Sequence, residues 1–192
     1  MDARTLIDDF DFEYIGGDGA EFDNAYHLAM NIYLVSMGFR PAFIITPGEF
    51  DEEDAFVQAT EQVSRYLQIE DTGEFVICWR GREDRNTARM IVEAITLRQQ
   101  FEQGGDPDVE HRAEVTLGRL LGYPCAGQLP GNYFVRLRVR GNMDIITNIC
   151  NNQDSYLEAL VRFQEMKEEL EEFFGRVRRF ERVGLVIEHG PR

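Results

Sequence analysis

Lysine is almost missing from this chain: Lys167 stands alone against 19 arginines. Cysteine is scarce as well, with only Cys78, Cys125 and Cys150, an odd number set far apart. That spacing excludes a disulfide framework and a Cys-x-x-Cys zinc knuckle. Long apolar runs are absent. The longest apolar stretch, residues 25–39, is interrupted by His27, Asn31 and Ser36, so no membrane-spanning helix is expected. The opening MDARTLIDDFDFEY is acidic where a secretory signal would be basic and then apolar. A reducing, cytoplasmic setting is the expectation. Motifs with a built-in mechanism are also missing: GxSxG, HExxH, a phosphate-binding P-loop, the dinucleotide glycine pattern and the EF-hand. The expectation that follows is a non-enzyme with no catalytic residue, metal or cofactor.

What is present is a folded globule of strongly negative charge. The 192 residues are 43% hydrophobic and 11% aromatic, too rich for a disordered acidic tail, and they carry a net charge of −15. A chain of this length buries about 70% of the surface its unfolded form exposes, and it reads as one domain over residues 1–192. The charge is uneven. Residues 1–75 hold 17 acidic and 3 basic side chains, a net of −14, and residues 76–192 hold 18 and 17, a net of −1. An acidic portion is thus followed by a near-neutral, arginine-rich one. Such asymmetry points to a charged partner surface. Codon bias toward arginine, or adaptation to salt, produces the same composition without any partner.

The best-punctuated segment is 106–127. Asp106 sits where an N-cap belongs, Pro107 at the first helical position, and Asp108 and Glu110 near the positive end of the dipole. Val109, Ala113, Leu117, Leu120 and Leu121 share a face, Gly122 fits the left-handed stop, and Pro124 forbids continuation. Elsewhere the pattern predicts an edge strand at 10–15, helices at 23–37, 51–69, 86–103 and 154–174, and strands at 41–46, 74–80, 132–140, 143–150 and 183–189. Together these predict an α/β or α+β fold, with a mixed sheet of four to six strands covered by about five helices.

Several candidate chemistries are weak. Gly16, Gly17 and Gly19 lack a P-loop lysine and sit among carboxylates that would repel phosphate. His27, His111 and His189 are far apart in sequence; His111 with Glu114 at i, i+3 is a common surface arrangement. Cys125 beside the Gly-Tyr-Pro turn is a potential nucleophile, but such a cysteine more often packs as a small hydrophobe.

Two features carry more. The first is the carboxylate set Asp8, Asp9, Asp11, Glu13, Asp18, Glu21, Asp23, Asp51, Glu52, Glu53 and Asp54. Displayed on helix starts and an edge strand, these groups imitate the phosphate rows of a nucleic acid. They would compete for a basic groove through the same counterion release. The expected partner is a basic protein surface, such as that of a nucleic-acid-binding protein, rather than nucleic acid or membrane. An inhibitor of a nucleic-acid-handling or defence complex is the sharper form. The second feature is Arg136, Arg138 and Arg140 on one side of a strand, an anion- or nucleotide-binding face in the alternative reading, which extends to a small hydrolase. The plainer explanation for that face is cross-strand pairing, for instance with Glu188. Docking of the acidic portion of one copy on the arginine face of another, a homo-oligomer, would use both.

Overall fold

A computed structural model describes residues 20–50, 53–102, 106–124, 129–139, 144–175 and 184–192. The strand expected at 10–15 lies outside them. The chain divides into two compact units, residues 1–93 and 94–192. Among the described residues there are five α-helices and six strands, and the strands form two separate three-stranded antiparallel sheets. The single mixed sheet expected from the sequence is therefore corrected, while the α+β content stands.

In the first unit, α1 (Ala20–Ser36) precedes β1 (Ala42–Ile45). The sequence gives α1 one apolar face. In the structure Leu28, Ala29, Ile32 and Tyr33 of that face are buried, and so are Met30, Leu34 and Val35 on the others. From Leu28 to Val35 the helix is thus buried on every face, as a core helix is and a surface one is not. It stops at Gly38, whose φ of 74° places it in the left-handed region, and Phe39 N–H returns to the Leu34 carbonyl at 2.9 Å.

Next come α2 (Glu53–Ser64), β2 (Gln68–Asp71) and β3 (Val76–Trp79). The helical spacing predicts α2 running on to about residue 69. Instead the chain turns after Ser64, with Leu67 N–H on the Val63 carbonyl at 3.0 Å, and residues 68–71 form a strand. The reason is non-local. Every residue of β3 is buried, and this central strand needs partners on both edges: Ile45 of β1 and Asp71 of β2 both pair with Val76. The β2–β3 turn is closed by side chains, Asp71 accepting from Gly73 N–H at 2.8 Å and Thr72 Oγ1 donating to the Phe75 carbonyl at 2.8 Å.

Helix α3 (Arg85–Glu102) leads into α4 (Pro107–Leu121), whose ends follow the sequence reading. Asp106 accepts from Asp108 N–H at 2.9 Å, and Gly122 takes φ 79°. Arg98 and Glu114 link α3 and α4 at 4.0 Å. The second sheet is built from β4 (Tyr133–Val139), β5 (Asp144–Cys150) and β6 (Leu185–Pro191), in the order β5–β4–β6. Helix α5 (Gln153–Gly175) packs on all three strands. The fully buried Val135 and Leu137 of β4, together with Phe163, Met166, Leu170 and Phe173 of α5, make the core of this unit. The alternation of β4 sends its arginines to the opposite face.

Candidate functional site

Arg136 and Arg138 sit on the sheet face turned away from α5, and each meets a carboxylate of a neighbouring strand. Arg136 Nη1 lies 3.4 Å from Asp144 Oδ2, and its guanidinium lies 5.8 Å from the Phe134 ring centroid. Arg138 Nη1 donates to Glu188 Oε1 at 2.9 Å, while its Nε stands 2.7 Å from Asp144 Oδ1. The hydrogen bond to Glu188, reinforced by the charges of Glu188 and Asp144, raises the pKa of Arg138. Chemically this is an internally paired strip: one cation of β4 held by one acid from each flanking strand. Arg140 lies outside the described residues.

Of the carboxylates expected to face a partner, Asp8, Asp9, Asp11, Glu13, Asp18, Asp51 and Glu52 lie outside the described residues. Glu21 and Asp23 fall within α1 and Glu53 begins α2, positions fixed for the backbone alone. Asp54 is exposed on α2. It is accompanied by carboxylates the sequence reading left out: Glu61 two turns along the same helix, and Glu70, Asp71 and Glu74 on β2 and its turn, all exposed. Between residues 53 and 75 the only basic side chain is Arg65. Asp54, Glu61 and Glu70 make no ion pair among the described residues. Their acidity could be counted in the sequence, but that β2 is an edge strand, where charge is favoured, shows only in the fold.

A cavity of about 220 Å³ in the first unit is lined by His27, Leu28, Asn31, Phe43, Glu49 and Phe50, among others. One of these lining residues, Asn31, accepts at Oδ1 from Nη1 of Arg40, which is 1% exposed. A guanidinium only donates, so the amide oxygen of Asn31 must face it. Burial, and then the charge of Arg40, lower the pKa of His27 and favour a neutral imidazole. Burial raises the Glu49 carboxyl, opposed by hydrogen bonds from the Thr46 side chain and backbone. This is the reach-back of a capping box and gives Glu49 a structural duty.

The second unit holds a broader groove between α5 and β6, about 750 Å³, lined chiefly by Leu160, Val161, Leu185, Val186 and Ile187. At one end Tyr156 Oη and His189 Nδ1 are 2.7 Å apart, and Tyr133 stacks on Tyr156 at 4.9 Å. The partners of this pair are 33 residues apart, so only the folded chain shows them together.

The remaining candidates separate. His111 is exposed, and Glu114 faces Arg98. Cys125 lies outside the described residues. Cys78 and Cys150 are buried free thiols, and burial pushes both upward in pKa, away from the reactive thiolate. Among the described residues no three histidine, cysteine or acidic side chains gather as a metal site, and no helix is long and apolar enough to cross a membrane. Comparison with known protein families, with characterised proteins and with solved structures finds no match for this chain.

Proposed function

We propose that this chain is a non-enzymatic, acidic interaction protein that engages a basic partner surface. An inhibitor, or a mimic of nucleic acid acting on a nucleic-acid-handling or defence complex, is its sharper form. The observation that supports it is an imbalance of pairing. The described arginines of the β4 face are matched by Asp144 and Glu188 of the same molecule, whereas Asp54, Glu61 and Glu70 are exposed with no ion pair among the described residues. A cationic face already matched has little left for an anionic ligand. An unmatched carboxylate surface attracts cations from a distance and speeds encounter.

The test is affinity capture from the native host, read by mass spectrometry, comparing the natural chain with a variant carrying Asp54→Lys, Glu61→Lys and Glu70→Lys. Capture of a basic protein that is lost in the variant, and that weakens as salt rises from about 0.05 to 0.3 M, is the expected outcome. Capture undiminished by the three reversals refutes the reading. A rise in melting temperature with a panel of nucleotides would instead favour the arginine face.

A further inference from the structure

Strand β6 is hydrogen-bonded on one side only, to β4, and its other edge takes no strand among the described residues. Open edges are usually blunted by a charge, a proline or a bulge. Here Pro191 stands only at the far end, the charge of Glu188 is taken up by Arg138 of β4, and residues 185–187 are Leu-Val-Ile. Beside this edge runs the α5–β6 groove. Its apolar floor continues onto the helix surface, where Val161 is 61% and Leu157 50% exposed. A strand added next to β6 would place every second side chain over Leu160 and Val161, on the α5 side of the sheet.

Charge decides what that strand is. Helix α5 carries Asp154, Glu158, Glu165, Glu168, Glu169, Glu171 and Glu172 against Arg162 and Lys167, and Lys167 is engaged by Glu171 at 3.4 Å. Glu165 and Lys167 both line the groove, the lysine already held by Glu171, so the uncompensated charge beside it is acidic. Glu158 lies on the exposed surface beside Leu157. Pairing β6 with β6 of a second copy would bring two such helices together in a chain of net charge −15. A basic segment gains attraction from the same carboxylates.

We propose that the β6 edge and the α5–β6 groove receive an extended, alternately apolar and basic segment of the partner, which adds a fourth strand to the second sheet. This rests on the reading that the partner is basic, and it assigns the contact to a different surface from the carboxylates of the first unit. With seven residues in β6, about seven partner residues would pair, roughly 23 Å of chain.

The test uses the full chain and a fluorescent eight-residue peptide of alternating valine and arginine, with fluorescence anisotropy and amide hydrogen exchange as readouts. Saturable binding is expected, with slowed exchange confined to the amides of residues 185–190. Val161→Glu should weaken it at least tenfold, although it adds negative charge that would favour a cationic peptide. Leu97→Glu, at a leucine of comparable exposure (43%) on α3, should leave it unchanged. The proposal is overturned if Val161→Glu binds normally, if protection falls elsewhere, or if a valine–glutamate peptide binds as tightly. Sedimentation showing a dimer of this chain that Val161→Glu dissociates would also overturn it, in favour of a second copy. The basic-partner reading fails separately, through the lysine reversals in the first unit.

Discussion

Replacing Asn31 with leucine would strip Arg40 of an acceptor that folding buries with it. Asn31 is 5% exposed and Arg40 1% exposed, and the guanidinium donates to Asn31 Oδ1. Leucine keeps the branching and heavy-atom count of asparagine, with bulkier methyl groups, so the change removes the hydrogen bond without opening a cavity. A hydrogen bond to a charged group contributes roughly 1.5–3 kcal/mol. Losing one partner costs at the upper part of that range, because the surviving donor cannot recover water. For a chain of this size about 1 kcal/mol shifts Tm by roughly 2–4 °C. Asn31→Leu should therefore lower Tm by roughly 4–12 °C. Arg40→Met should also destabilise, since that side chain has further contacts. The informative quantity is the double variant. With donor and acceptor both gone, the penalty for this pair is counted once, and urea unfolding should give a coupling of about 1.5–3 kcal/mol between the two sites. If the single costs add to within about 0.5 kcal/mol, the two side chains are not an energetic pair and the account of this buried cation fails. An NMR titration supplies a second readout. Because the charge of Arg40 helps to lower the pKa of His27, Arg40→Met should move it upward.

His27 itself predicts a pH dependence. Its folded pKa lies below 6.5, so the unfolded chain takes up the proton first, and stability should fall as pH drops from about 7.5 through 6.5 until the folded imidazole titrates. Glu49 acts in the opposite sense at lower pH: its raised folded pKa contributes stability below about 4.5 that is lost as pH rises through the folded value. Denaturant midpoints measured across pH for His27→Gln should lose the first slope and keep the second; an unchanged first slope would clear His27 of it. For α4, Asp106→Ala should cost about 1 kcal/mol by removing the cap on Asp108 N–H. Gly122→Ala should cost about 1–2 kcal/mol through its φ of 79°. Hydrogen exchange should show fraying at the first turn in one case and at the last in the other. Fraying at neither end would refute the capping assignments.

The ends of α4 were legible because caps are local chemistry: Asp106, Pro107 and Gly122 each answer a need of the backbone within four residues of themselves. The alternation of β4 was legible for a similar reason, and it carried the pairing of Arg138 with Glu188 with it. What the sequence hid is non-local. Val63, Tyr66 and Leu67 keep a helical spacing past Ser64, and nothing in residues 68–71 announces that a buried strand will recruit them. Helices alternating with strands suit one mixed sheet as well as two antiparallel ones, because strand adjacency is decided by partners dozens of residues away. The candidate sites divide on the same line. Exposed carboxylates could be counted in advance, but the groove beside β6 exists only where α5 and β6 meet. Nor did the sequence distinguish Arg40 from a solvent-facing arginine, although the apolar residues on both sides of it were a usable hint.

Arg138 touches Asp144 of one outer strand and Glu188 of the other, so a single side chain spans the width of its sheet. A slip of β6 by one residue would swing Glu188 toward α5, seat a carboxylate beside Val135 or Leu137, and leave the guanidinium without that counter-ion. On the β5 side a register shift between Leu137 and Arg138 is what sets Asp144 opposite the arginine. Misthreaded arrangements of the second sheet are thereby penalised twice, in the oily layer and in the ionic one, and a trio that adds little to overall stability narrows the alignments in which the strands can come to rest.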